Sequence, residues 1–442
     1  MMTLNVARSA WLHRNPARWL VCLICLILVA CQSPAPRHIE PAPRTPALIL
    51  VSIDGFRPDY LDRGLSPNLA GIAADGARAQ TLRPSFPSLT FPNHYTLVTG
   101  RVPDHHGLIN NTMVDPEIPG ERFTLRNKDA VGNPAWWNDA QPVWNTARAA
   151  GLRSATMFWP GSEAPIHGHH PDYWQPFDAS ITPEARVQQV LTWLDLPDDE
   201  RPNFITLYFD QVDHEGHTFG PDSAEVNTAI SHIDAAIGEL VAGLRARQLF
   251  DQINLVIVSD HGMAATPAEQ IVALDEFVPR TRFRMVTAGS LAGIEPRKNT
   301  PEAALALDAA LDRNIPHAQC WRKGTIPARF KYGSHRRVPR WTCLADEGWA
   351  IMDRTLIRTL DGKQLNRGGH GYDPALDSMA AIFIAHGPAF RPGAVIAELN
   401  NVDVYPLMAR LLGITPEAND GDPEATLPLL RTNDGATHTR MH

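Results

Sequence analysis

An α/β fold, with a mostly parallel sheet covered by helices on both faces, is predicted by three features of the sequence. Short apolar runs rich in Leu, Ile and Val recur along the chain, helical patterns alternate with them, and three of the runs end in or just before an acidic residue. These three read Leu50-Val-Ser-Ile-Asp54, Leu207-Tyr-Phe-Asp-Gln-Val-Asp213 and Val256-Ile-Val-Ser-Asp260. Runs this short and this apolar suit strands buried on both faces. In open parallel sheets, ligands gather beyond the carboxyl ends of the strands, so each acidic residue stands where a site would form.

In chain order, Ala47 to Ile53 is the first buried strand, and Ser66-Pro67 opens a helix through Ala74 by capping logic. Phe204 to Phe209 and Leu255 to Ser259 are further strands, as is Met379 to Ala385. Between the second and third strands Val226, Ile230, Ile233, Ile237, Leu240 and Leu244 alternate at steps of four and three, which predicts an amphipathic helix. Residues 280–358 read as a smaller inserted α+β lobe with a helix near Pro301 to Asp312. The acidic, Pro-containing stretch after Leu412 is expected to wrap the surface or fray, and a tail of residues 431–442 lies beyond a main domain of residues 47–430.

The chain of 442 residues is 44% apolar, enough to bury a large core. Arg8, Arg14 and Arg18 precede an unbroken apolar run from Leu20 to Ala30, too short to span a bilayer but suited to a secretory signal over residues 1–30. Leu28-Val-Ala-Cys31 resembles a bacterial lipobox, which implies acylation of Cys31, and Gln32 after it implies the outer membrane facing the periplasm. Residues 31–46, with Pro34, Pro36, Pro41, Pro43 and Pro46, then form an extended tether. Cys22 and Cys25 leave with the signal, and the remaining pair, Cys320 and Cys343, reads as a disulfide. Removing three arginines from a chain of net charge −8 leaves a body more acidic still. Such a body is ill-suited to gripping a polynucleotide through its phosphates, whereas a small phosphorylated substrate held by metal ions is compatible.

The stretch Pro84 to Gly100 carries Thr90 just before Pro92 at an expected helix N-terminus, where an anion is favoured and a hydroxyl can attack phosphate. Asp54, Asp260 and His261 follow two of the strands. In Asp213-His-Glu-Gly-His217 the favoured pair is Asp213 with His217, Gly216 letting the backbone turn, and Asp210 with His214 is the rival. His370 lies in a Gly-rich segment. Carboxylates and neutral imidazoles without thiolates suit Zn²⁺ and allow Mn²⁺, and six such side chains plus Thr90 divide into two sites. His167, His169 and His170 read as a solvated loop.

Asp54-Gly-Phe-Arg57, Thr90-Phe-Pro-Asn-His-Tyr95, Phe158-Trp-Pro-Gly161, Asp213-x-x-Gly-His217-x-x-Gly-Pro221, Ser259-Asp-His-Gly262 and Gly369-His-Gly-Tyr372 occur in that order. Together they resemble the nucleotide pyrophosphatase/phosphodiesterase family of the alkaline phosphatase superfamily, from about residue 47 to 425. The resemblance implies an alkaline-phosphatase-like mixed sheet and two Zn²⁺ per chain. One would be held by Asp213, His217 and His370, the other by Asp54, Thr90, Asp260 and His261. It also implies Asn111 as the phosphate-binding amide, with Asn110 as the adjacent rival, and a nucleoside pocket bordered by Phe91, Leu125, Phe177 and Tyr208. Tyr173 and Trp174 compete with Phe177 for the base. The Phe91 N–H and Asn111 would together hold a non-bridging oxygen while Thr90 attacks a phosphodiester and forms a phosphothreonine. The expected activity is hydrolysis of nucleotide diesters or pyrophosphates to nucleoside 5′-monophosphates. Related alternatives are a hydrolase of phosphate monoesters, sulfate esters or phospholipid headgroups, or a surface lipoprotein that only binds.

Overall fold

The computed structural model describes residues 48–360 and 366–431. The signal segment, Cys31, the tether and the tail beyond Arg431 lie outside the described residues. No helix among the described residues is long and apolar enough to cross a membrane.

The central sheet has eight strands: β1 (Leu48–Ile53), β2 (Ala77–Arg83), β3 (Ser154–Met157), β4 (Tyr173–Trp174), β5 (Phe204–Phe209), β6 (Asn254–Val258), β11 (Ala381–His386) and β12 (Ala394–Asn400). Their spatial order is β12-β2-β11-β6-β1-β5-β3-β4. β1 lies between β5 and β6 and is parallel to both, Ser52 facing Tyr208 on one side and Val258 on the other. β11 alone runs against its neighbours. The three central parallel strands therefore end side by side.

Alternation along β1 builds two layers. Leu48 and Leu50 enter one apolar cluster, with Tyr95, Leu97, Trp144 and Tyr405. Ile49, Val51 and Ile53 enter the other, with Leu69, Val190, Ile230 and Ile237. Helices α1 (Pro67–Asp75), α4 (Pro183–Leu194) and α6 (Ala224–Ala246) supply the second layer, and α2 (Thr90–Thr99), α3 (Val143–Ala149) and α8 (Val404–Leu412) the first. The six apolar positions predicted for α6 are all buried, each contributing roughly 1.5–3 kcal/mol relative to exposure. Ser223 caps α6 by accepting from the Val226 N–H at 3.2 Å. α1 begins at Pro67 as predicted, but the Ser66 hydroxyl makes no cap. The carboxylate of Asp234, on α6, accepts instead from the Asn68 and Leu69 N–H groups at 3.1 and 2.8 Å. A long-range partner has displaced the local one, and it ties the two helices together.

A second, antiparallel sheet has the order β7 (Phe283–Thr287), β8 (Leu291–Pro296), β10 (Trp341–Ala345), β9 (Ala318–Arg322) and packs with helix α7 (Pro301–Leu311) around its own apolar cluster. Cys320 and Cys343 face each other across β9 and β10 and are joined by a disulfide. The loop from β9 to β10 leaves this sheet. Its Ile326, Phe330, Tyr332 and Val338 are buried in the first layer of the main core.

Candidate active site

Asp54 directly follows β1, and Asp260 follows β6 by two residues. After β5 a helix, α5 (Gln211–Phe219), starts at once, so Asp213 stands in its first turn rather than on the strand end. Asp213 and His217 are then four residues apart on one helical face, and their side chains approach to 3.5 Å. Gly216 is helical, not the turn expected from sequence. It makes room instead: a Cβ there would lie 3.0 Å from Met263. Asp210, at the strand end, is paired with the buried Arg186 guanidinium at 2.8 Å, and His214 is exposed. Of the rival pair, Asp210 is thus engaged by Arg186 while His214 faces solvent.

Thr90 is the first residue of α2, and its hydroxyl caps nothing. Its Oγ1 lies 3.2 Å from His261 Nε2. His261 stacks on His370 with ring centroids 3.6 Å apart, and His370 Nε2 lies 3.0 Å from His217 Nε2. The side chains therefore run Thr90, His261, His370, His217 across the mouth of the sheet. Asp213 is 3.5 Å from both His370 and His217, and Asp54 and Asp260 lie 3.6 and 2.9 Å from His261.

Each of the three imidazoles directs Nδ1 at a main-chain carbonyl oxygen 2.9 Å away: His261 at Gly262, His217 at Gly368, His370 at Ser88. A neutral ring that donates from Nδ1 presents a lone pair at Nε2, so His217 and His370 face the cluster as acceptors, whereas Asp260, opposed by burial, raises the pKa of His261. The carboxylates are equally unsatisfied. Asp54 Oδ1, Asp213 Oδ1 and Asp260 Oδ2 are buried without a hydrogen bond. Burial, with the charges of Asp260 and Asp213 added, raises the Asp54 carboxyl well above its ordinary range. Burial acts on Asp260 in the same sense, but His261 and His94 outweigh it and hold that carboxylate well below. Burial and the neighbouring His261 and His217 push His370 far down. Carboxylate oxygens and imidazole nitrogens converging on one another, around a carboxylate kept from ionising, fit bound divalent cations.

Among the described residues, the ligand atoms that lie within 4.8 Å of one another form two groups, Asp213 with His261 and His370, and Asp54 with His94 and Asp260. His94 is the residue that the sequence reading missed. It stands one helical turn after Thr90, and its Nδ1 and Nε2 lie 2.9 and 2.8 Å from Thr90 O and Ser52 Oγ. With both nitrogens engaged, His94 braces the start of α2 against β1. Its place within the Thr90 motif was the available signal.

Asn111 Oδ1 accepts from the Phe91 N–H at 2.9 Å. That N–H, expected to meet a phosphate oxygen, instead orients the amide. Asn110 turns elsewhere, its Oδ1 accepting from the Thr112 N–H. The segment bearing Asn111 is held from the β9–β10 loop. Tyr332 donates to Ile109 O at 3.2 Å, and the buried Arg337 donates to Gly107 O at 2.9 Å and pairs with Asp115. Asp104 accepts from the N–H groups of Gly333, Ser334 and His335.

Among the aromatics, Tyr208 donates to Asp54 Oδ2 at 2.7 Å, and its ring meets Phe177 at 6.0 Å. Phe91 packs against Phe123 and Trp137, at 5.8 and 5.9 Å. Leu125 is exposed. Trp174 stacks on His170, and Tyr173 leans on Trp193, so of the three competing rings it is Phe177 that meets Tyr208.

Residues 48–373 match the family model described as type I phosphodiesterase/nucleotide pyrophosphatase. An uncharacterized pyrophosphatase/phosphodiesterase of Schizosaccharomyces pombe is 35% identical over 88% of this chain and 81% of its own length. Human ectonucleotide pyrophosphatase/phosphodiesterase family member 1 is 35% identical over 85% of this chain, which spans only 41% of that longer protein. Among solved structures, human ectonucleotide pyrophosphatase/phosphodiesterase 5 superposes with a TM-score of 0.81 at 34% identity, covering 87% of this chain and all of that one. An inactive Thr-to-Ala variant of the murine protein, in complex with AMP, superposes with a TM-score of 0.80 at 32% identity, covering 88% of this chain and all of that one. On the extent of these matches, the chain belongs to the type I phosphodiesterase/nucleotide pyrophosphatase family, whose members are hydrolases acting on phosphodiester bonds.

Proposed function

We propose that this protein hydrolyses nucleotide phosphodiester and pyrophosphate bonds, with Thr90 as the nucleophile, and releases nucleoside 5′-monophosphates. The observation that carries the reading is the buried Thr90 hydroxyl, which lies 3.2 Å from His261 Nε2 beside three carboxylates with unpaired oxygens. The murine relative solved with AMP as an inactive Thr-to-Ala variant supports the same role for a threonine. Asp213, His217 and His370 are assigned to one Zn²⁺, and Asp54, Asp260, His261 and Thr90 to the other. When bound, these cations supply the positive charge that makes a Thr90 alkoxide accessible near neutral pH and offsets charge on the leaving oxygen.

The chain's own groups do the rest. Thr90 Oγ attacks phosphorus in line and forms a phosphothreonine, which water then hydrolyses. Asn111, its Oδ1 fixed by the Phe91 N–H, has Nδ2 left to donate to a non-bridging oxygen. Tyr208 steers Asp54 through its hydroxyl and offers Phe177 a partner for a nucleobase, with Phe91 and Leu125 at the rim. A neutral amide in place of a cation suits a diester, which carries one charge fewer than a monoester. The proposed setting is an acylated Cys31 on the outer membrane, and a Cys31→Ser variant that still sediments with membranes after a high-salt wash would remove it.

The test is turnover of a chromogenic nucleotide diester beside the matching monoester and a choline phosphodiester, by wild type and Thr90→Ala. The diester should be the fastest substrate, and Thr90→Ala should lose at least about 10³-fold while keeping its fold and metal. A monoester preference, or a Thr90→Ala enzyme with near-normal turnover, overturns the reading.

A further inference from the structure

Arg186 stands in the first turn of α4, which Thr182 opens by accepting from the Ala185 N–H, and its side chain has no exposed surface. Taking a guanidinium out of water is costly unless its donors are met. Here Nε donates to Ile181 O at 2.9 Å, and Nη1 donates to Tyr208 O and Asp210 Oδ1 at 2.9 and 2.8 Å. Nη2 is buried without a hydrogen bond. The rest of the environment is aromatic: the guanidinium carbon lies 5.2 Å from the Phe158 ring centroid and 5.7 Å from that of Phe177. A cation so placed is attracted to the ring faces.

These contacts join the two aromatic side chains assigned to the nucleobase. Tyr208 belongs to β5, whose backbone is paired with β1 on one side and β3 on the other, so the strand end is a fixed point. Phe177 comes from the segment before α4. Its N–H donates to Glu163 at 3.2 Å, which ties down its main chain, but its side chain is exposed. The ring meets Phe158 edge to face at 5.1 Å and Tyr208 at 6.0 Å. Arg186, anchored on the end of β5, is the link between that fixed point and the Phe177 ring. A lysine cannot replace it, because a point charge does not span two carbonyls and a carboxylate while covering two rings.

Resting on the function proposed above, we propose that Arg186 is a positioning residue for nucleotide recognition: without touching substrate, it holds the Phe177 ring against Tyr208 and so sets the preference for a nucleotide over a simple phosphodiester. Thr90 and Asn111 are held by other contacts, on α2 and at the Phe91 N–H. The effect therefore falls on binding of the base and spares the chemical step.

Steady-state kinetics on the p-nitrophenyl ester of thymidine 5′-monophosphate and on methyl p-nitrophenyl phosphate test this in wild type, Arg186→Lys, Phe177→Ala and the double variant. Arg186→Lys should raise KM for the nucleotide about fivefold, with kcat and the methyl ester within about twofold and metal content unchanged. In the Phe177→Ala background the same change should move the nucleotide KM by less than about twofold, because the ring it acts through is gone. Equal losses on both esters, additive effects in the double variant, or an unchanged nucleotide KM overturns the proposal. If Arg186→Lys does not fold, Asp210→Asn, at the partly exposed end of the same ion pair, carries the test. It should raise the nucleotide KM about threefold and spare the methyl ester, and an equal effect on both or none on either overturns the proposal. A wild type that turns over the methyl ester as readily as the nucleotide, or neither, sinks the underlying function instead.

Discussion

His217 Nε2 and His370 Nε2 face each other at 3.0 Å, each presenting a lone pair because the opposite nitrogen donates to a main-chain carbonyl. Two acceptors at that distance repel unless a cation lies between or beside them. The first expected outcome is therefore that metal is part of the stability of the fold. Dialysis against a chelator should abolish turnover and lower Tm, and Zn²⁺ should restore both. A cation present at 100 times its Kd contributes about 2.7 kcal/mol. Unchanged melting and turnover in a protein shown to be metal-free would contradict it.

His217→Ala should lose much more metal and activity than His214→Ala. His217 reaches Asp213 and His370, whereas His214 is exposed on the same helix. Metal content per chain and turnover measure this, and the reverse ranking would exchange the two roles.

Phe177→Ala should raise KM for a nucleotide diester several-fold and leave an aryl methyl phosphodiester within about twofold, since only the nucleotide has a base to stack. Phe91→Ala should harm both more evenly. Phe91 is wedged against Phe123 and Trp137, and its N–H holds Asn111. Parallel kinetics on the two substrates distinguish these outcomes.

His106 predicts part of the acid limb of stability. It accepts from the Leu108 N–H and approaches Pro92 O and Thr96 Oγ1, which ties α2 to the Asn111 segment. Burial, opposed in part by the Pro92 carbonyl, pushes its pKa down to about 3. An unfolded His titrates near about 6.5, so its neutral-form contribution is complete above that pH and is lost as pH falls toward 3. His106→Gln should melt below wild type at pH 7.5, and the gap should narrow at pH 4.5. A gap independent of pH would remove His106 from this role.

The side chains that converge at the candidate site were largely legible because they sit in short motifs at strand ends and helix starts, where local sequence decides local geometry. The core strands and α6 were legible for a similar reason, since β1 is buried along its whole length and α6 keeps one apolar face. β2 and β12 escaped: they mix buried positions with Arg78, Gln80 and Glu398, so neither reads as a continuous apolar run. Contacts distant in sequence were also hidden. Nothing near Ser66 announces that Asp234 will cap its helix, and nothing near Asn111 announces Tyr332 or Arg337.

The β9–β10 loop has a consequence for anyone exchanging parts between relatives. It begins and ends on the second sheet, yet its middle donates hydrogen bonds to the Gly107 and Ile109 carbonyls and pairs with Asp104 and Asp115. Grafting a foreign second sheet would import a foreign grip on Asn111. A chimera that fills its core correctly would still misplace that amide unless residues 104–115 came from the same parent as residues 323–340.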